Sequence, residues 1–393
     1  MNRLDISRLD GGIPKTLPGE DHIGGLLVYT DEIPWSFNSP GTSIQKIGTL
    51  QAAQALDITP DSESLFLRML HFHLRQIFAH NPAIELYLGI YAAPTDGTSP
   101  GFEEVMLMQQ YAGGRIRQIG IWTPICDFDA DDIDCLSTWA EACDWDQLAP
   151  LSILYAPQVS NILELPDNLR MDGNEAVSVL IGQDGGTTAQ ALVNDTKNTK
   201  GYCLGCIGTA LGILSRAKVH QSIAWVKEFP TGISLPAFAD GTLYRDVDPS
   251  LIKSLDEAGY IFPVTIPGQA GSYFNDSHTM GDPQGDYNTI EAVRTMNKAV
   301  RGIRTYLTPC LGGNIYIDPE SGKMQAHSVS HLETTANRAL EDMEKAGELS
   351  GYKVEIDPEQ DVLSTSTVEV VIKQVPVGVM RKINVKIGFT KQV

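Results

Sequence analysis

Residues 62–91 read SESLFLRMLHFHLRQIFAHNPAIELYLGIY. Leu65, Met69, Phe72 and Gln76 share one side of a helix, with Phe66, Leu70, His73 and Ile77 beside them. The spacing predicts a helix over 62–79, capped by Asp61 or Ser62 and stopped by Asn81-Pro82. Residues 84–91 form a short apolar run, the signature of a buried strand. Residues 23–30 form another. A strand, a helix and a strand in succession predict layered α/β architecture.

The alternation continues outward. Helices are expected over 102–112, 132–142 and 201–215, and strands over 116–122, 151–155 and 177–181. A turn-rich stretch, 229–248, separates these from the last third. There a short helix (251–258) and a strand (260–264) precede two long helices, 286–307 and 328–348. Two runs with a period of two close the chain. Val368, Val370 and Ile372 face one way in the first; Ile383, Val385, Ile387 and Phe389 do so in the second, with Lys382, Asn384 and Lys386 opposite. The expected class is α/β (α+β) and multi-domain, with extended arms at both ends. The expected divisions are an arm at 1–22, α/β units at 23–100 and 101–248, a C-terminal domain at 249–364 and a strand arm at 365–393.

Composition narrows the function. Hydrophobic residues at 42% and charged residues at 20% fit a folded globular chain. The net charge of -20 repels phosphate backbones, so nucleic acid is not an expected partner. Met1 to Asp5 lacks a basic-then-apolar leader pattern, and the uncharged stretch 201–215 is too short and glycine-rich to span a bilayer. These features predict a soluble protein made in a cytoplasm, with no membrane insertion.

No motif specifies catalysis. Cys203 and Cys206 form one CxxC without a second ligand pair, which predicts buried helical thiols rather than zinc. The acidic run Asp127, Asp129, Asp131, Asp132 and Asp134 has Asp132 and Thr138 where a calcium loop needs Gly and Glu. It reads instead as an acidic first turn complementing a helix dipole. Gly208 and Gly212, four apart, suit close helix packing. His71 and His73 point to different helix faces. Ser222 follows His220, but adjacency alone is no catalytic geometry. The sequence therefore predicts no catalytic residue, no cofactor and no metal.

Charge is unevenly placed. From Val370 onward there is no acidic residue, and Lys373, Arg381, Lys382, Lys386 and Lys391 give that segment +5, leaving -25 on the rest. A basic strand-forming tail on an acidic body suits docking onto a second copy of that body. Lysines guarding an edge strand are the blander explanation. On the long helix, Arg294, Lys298 and Arg301 share a face, which reads either as solvated or as a contact with an acidic partner.

The last third also carries a family likeness. Gly271-Ser272-Tyr273-Phe274-Asn275-Asp276 precedes Asp286-Tyr287-Asn288-Thr289-Ile290 and Arg294-Thr295-Met296-Asn297-Lys298. Residues 347–352, Asp357, residues 368–372 and Val375-Pro376 follow in order. This pattern resembles the C-terminal region of contractile phage tail sheath proteins, and residues 211–226 look like a divergent, prophage-borne branch. The resemblance implies a structural subunit, not an enzyme, that polymerises in stacked rings around an inner tube. Contraction would drive that tube through a target envelope.

The implied partners are other copies of the chain, a tail tube protein, and baseplate and tail terminator proteins. The implied setting is a virion tail or phage-like particle assembled in a bacterial host's cytoplasm. The implied arm contacts are Val368, Val370, Ile372, Lys382, Ile383, Val385, Lys386, Ile387 and Phe389. Arg294, Lys298, Arg301, Glu341 and Lys345 are the candidates for facing the tube. Removing residues after about Thr367 is expected to leave a soluble monomer. Two alternatives remain: an α/β enzyme with an unrecognised site, and another tail or baseplate assembly protein.

Overall fold

The computed structural model describes residues 19–39, 41–95 and 98–389. The N-terminal arm expected over 1–22 therefore lies almost wholly outside the described residues.

The chain begins with β1 (Ile23–Thr30), β2 (Ile44–Ile47), α1 (Leu50–Gln54), α2 (Leu65–His80) and β3 (Glu85–Ala92). There follow α3 (Glu104–Tyr111), β4 (Gln118–Asp127), α4 (Asp131–Gln147), β5 (Ser152–Gln158) and β6 (Val177–Val179). These strands make one sheet in the order β2-β3-β1-β4-β5-β6. All its pairings are parallel except β2 with β3 at the edge.

Every residue of β1 is buried, as a parallel sheet covered on both faces requires. Its side chains divide by the period of two. Leu26 and Val28 join the core formed with α2, and Leu27 and Tyr29 join the core formed with α3 and α4.

This sheet corrects the expected division at residue 100. Gly24 to Val28 pair with β3 on one side and with Gln118 to Trp122 of β4 on the other, so both expected units are one body. The division at 249 moves too. The next elements are β7 (Gly182–Asp184), α5 (Thr187–Val193), α6 (Ile207–Arg216), β8 (Pro236–Phe238), α7 (Pro249–Glu257), β9 (Pro263–Val264) and β10 (Tyr273–Phe274). Ile261 bridges in parallel to Leu180, and Leu255, Tyr260, Phe262 and Met280 lie in the same core as β4 and β5. The body therefore continues to the start of α8 (Ile290–Leu307).

Several local details follow from the residues. Ser64, rather than Asp61 or Ser62, caps α2, accepting from the Leu67 amide at 3.2 Å. Gly208 and Gly212 face α2: a Cβ at Gly208 would lie 2.6 Å from the His73 carbonyl oxygen, and one at Gly212 would lie 3.0 Å from Ile77 Cα. The two helices touch backbone to backbone, the close packing that the glycine spacing predicts. His73 is buried edge-on against Trp122, 4.5 Å between ring centroids, and burial drives its pKa down to about 3.

Helix α6 starts later than expected. Cys206 caps it and Cys203 precedes it, because Gly201 and Gly205 adopt positive φ. The two thiols are buried and unpaired, but they are not a helical pair. Asp131, Asp132 and Asp134 occupy the first turn of α4; Asp132 is buried and accepts from the Tyr155 hydroxyl at 2.6 Å.

The rest of the chain forms a smaller unit on the body: α9 (Ala326–Lys345), β11 (Leu349–Glu355), α10 (Val362–Thr365) and β12 (Val371–Pro376). Its core is Ala299 of α8 with Leu340, Met343 and Leu349, joined by Ile303, Tyr352, Val354 and Ile372. Helix α8 serves both parts, since Ile290 near its start lies in the body core.

Candidate assembly interface

The small unit ends in a two-stranded antiparallel sheet. β11 pairs with β12 from Glu355↔Val371 to Gly351↔Val375. Val354, Tyr352 and Ile372 face the α8–α9 core, and Val371 and Val375 face outward. Among the described residues neither outer edge of this pair has a further strand on it. Open strand edges are templates for pairing with another chain.

The second alternating run forms no strand. Residues 377–389 have no ladder partner among the described residues. Ile383, Val385, Ile387 and Phe389 are 67%, 78%, 96% and 111% exposed, and Lys382 and Lys386 are exposed as well. The pattern has the period of a half-buried strand, yet no surface among the described residues buries it.

Among the described residues Arg381 ties this segment to the body through side-chain hydrogen bonds. Arg381 Nε donates to both Asp276 carboxylate oxygens at 2.9 and 3.0 Å, and its Nη2 reaches Ser277 Oγ at 3.2 Å and the Glu291 carboxylate. Glu291 is buried and also accepts from Ser277 Oγ at 2.7 Å. Burial pulls the Arg381 guanidinium down, but Glu291 and Asp276 outweigh it and hold its pKa above the ordinary value. Arg381→Ala is expected to cost about 1–3 kcal/mol, because buried Glu291 loses its charged partner. Urea unfolding of the full chain measures this.

The basic face of α8 is placed otherwise than expected. Arg294 is 3% exposed, and its Nη2 donates to the Ala217 carbonyl at 3.2 Å and to Gln118 Oε1 at 3.3 Å. Lys298 Nζ bridges Asp21 at 2.5 Å and Glu348 at 2.8 Å, and Arg301 lies 3.6 Å from Asp21. Burial raises the Asp21 carboxyl, but Lys298, with Arg294 and Arg301, outweighs it and holds the pKa below the usual range. The acidic partner that the spacing pointed to is therefore in the same chain. Arg294, Lys298 and Arg301 pin the start of β1 to α8, and Arg294 is too buried to face a tube. Glu341 and Lys345 do remain exposed, paired to each other at 2.6 Å across one helical turn.

Solved structures share the overall fold. A chain of the anti-feeding prophage baseplate matches with a TM-score of 0.62 at 15% identity, covering 99% of this chain and all of that one. A chain of the contracted sheath complex of an extracellular contractile injection system, PVC, matches at 0.60 and 12% identity, covering 99% of each. The sheath tail protein of Desulfitobacterium hafniense matches at 0.54 and 10% identity, covering 94% of this chain and all of that one. The fold is thus an α+β fold that resembles tail sheath structures.

At the level of sequence, residues 159–278 match the N-terminal domain and residues 286–393 the C-terminal domain of the family described as DUF2586. The two domains follow one another in this chain. No curated protein matches. Among the described residues no group of His, Cys, Asp and Glu is placed to hold a metal ion, and no helix is long and apolar enough to cross a membrane.

Proposed function

We propose that this chain is the sheath subunit of a contractile injection machine. It polymerises around an inner tube and shortens to drive that tube through a target envelope. The exposed apolar row from Ile383 to Phe389 carries this reading, on a fold that matches sheath structures over 94–99% of the chain. Covering each of those side chains is worth roughly 1.5–3 kcal/mol. A neighbouring copy supplies the cover, with β11 and β12 as the receiving edges. The arm contacts are Val368, Val370, Lys382, Ile383, Val385, Lys386, Ile387 and Phe389, while Ile372 stays in its own chain's core, and Glu341 and Lys345 are the exposed candidates for the tube. The machine works by switching between two packings of folded subunits, without a cofactor. Its partners are the tube, baseplate and tail terminator proteins of a phage-like particle assembled in a bacterial host.

The likeness to a baseplate chain favours a second reading, a ring-forming baseplate subunit. Negative-stain imaging of the purified full chain separates the two. Long hollow cylinders support the sheath, and single closed rings support the baseplate. Dispersed particles at every concentration contradict both.

A further inference from the structure

Below the buried ionic cluster, a solvent-open cleft of about 390 Å³ lies between the C-terminal half of α8 and the body. It is lined by Arg117 at the foot of β4, by Arg301, Arg304, Thr305 and Thr308, and by Leu148 after α4. Three arginines line one cavity in a chain of net charge -20, and no carboxylate is among the lining residues.

The guanidiniums are not fully matched from within. Arg117 is 9% exposed; it pairs with Glu20 and donates to the Gly114 carbonyl at 2.8 Å, but its Nε is buried without a partner. Arg304 pairs with Asp144 at 2.5 Å. Among the described residues the Arg301 guanidinium pairs with Asp21 at 3.6 Å, a carboxylate already bound by Lys298, and feels Glu20 from farther off. Burial, then the like charge of Arg117, pull the Arg301 pKa down to about 9. Two of the three carboxylates that answer these arginines are shared with other cations, Glu20 with Arg115 and Asp21 with Lys298.

We propose that this cleft is a binding site for an oxyanion with several acceptor oxygens, held by Arg117, Arg301 and Arg304. Planar guanidinium forks match carboxylate and phosphate oxygens in pairs, which distinguishes such a ligand from chloride. The ligand would bridge α8 to β4, and so tie the small unit to the body. Its source is either free phosphate or the carboxylates of a second copy.

The test titrates inorganic phosphate into the full-length chain at constant ionic strength and follows binding by calorimetry. Saturable binding is expected in the unaltered chain, at least about tenfold weaker binding in Arg304→Gln, and none in Thr305→Glu. Thr305 is exposed, so the second variant adds charge to the cleft without removing a buried arginine. Absent binding, or equal binding by all three chains, overturns the proposal. The titration stands whether or not the chain polymerises. Where it does, phosphate that slows assembly of the unaltered chain identifies a neighbour's carboxylates as the natural ligand; assembly indifferent to phosphate identifies the free anion.

Discussion

A chain ending at Pro376 is expected to fold, stay soluble and fail to polymerise. The cut keeps all of β12, so Ile372 stays against Met343 and Leu340, and Ser350 Oγ still donates to the Pro376 carbonyl at 3.0 Å. It removes Arg381 and the exposed row Ile383, Val385, Ile387 and Phe389. Losing even one buried side chain of 1.5–3 kcal/mol raises the concentration needed for assembly by about tenfold or more per contact. Losing all four in every subunit abolishes the polymer. Sedimentation velocity reads this directly, with a single monomer boundary expected where the full chain gives large particles. A cut at Thr367 is a poorer test, because it also strips β12 from the small unit and confuses misfolding with lost assembly.

Arg294→Ala is expected to destabilise the chain by about 3 kcal/mol or more. The guanidinium fills a buried site between α8, the segment after α6 and the start of β4, where it meets the Ala217 carbonyl and Gln118. Without it those acceptors are stranded and Asp21 loses one of its cations. Glu341→Ala, which breaks an exposed pair on α9, is expected to cost under about 0.5 kcal/mol. Urea midpoints of the two variants separate a structural arginine from a surface one. The same cluster sets a pH dependence. Asp21 has a lowered pKa in the folded chain, so its contribution is present above its ordinary value of 3.8 and is lost as pH falls below it. Stability against urea, followed downward from pH 5, reads that loss.

The sequence showed these elements where a single side of an element decides the pattern. The apolar run of β1, the two-sided stripe of α2 and the glycine pair of α6 were all legible. Strand order was not, because no local pattern says that β1 sits between β3 and β4. Edge strands were missed for a related reason. In β2 only Ile44 and Ile47 are buried, and β11 contains Gly351 and a mostly half-exposed set of side chains.

The basic face shows the same limit. Spacings of four and three place Arg294, Lys298 and Arg301 on one side of α8, but not whether that side meets water or Asp21, 277 residues away from Lys298. Arg381 gave no periodic signal at all. Its receptor, Asp276 and Glu291, is assembled only by the fold, although it lies in and beside the blocks that carry the family likeness.

The most direct test of the account is a cryo-electron microscopy map of particles assembled from the full-length chain. Residues 383–389 are expected as an added strand on the β11–β12 edge of a neighbouring copy, with Ile383, Val385, Ile387 and Phe389 covered by it. Ordered rings or tubes in which that segment stays uncovered on its own subunit would contradict it.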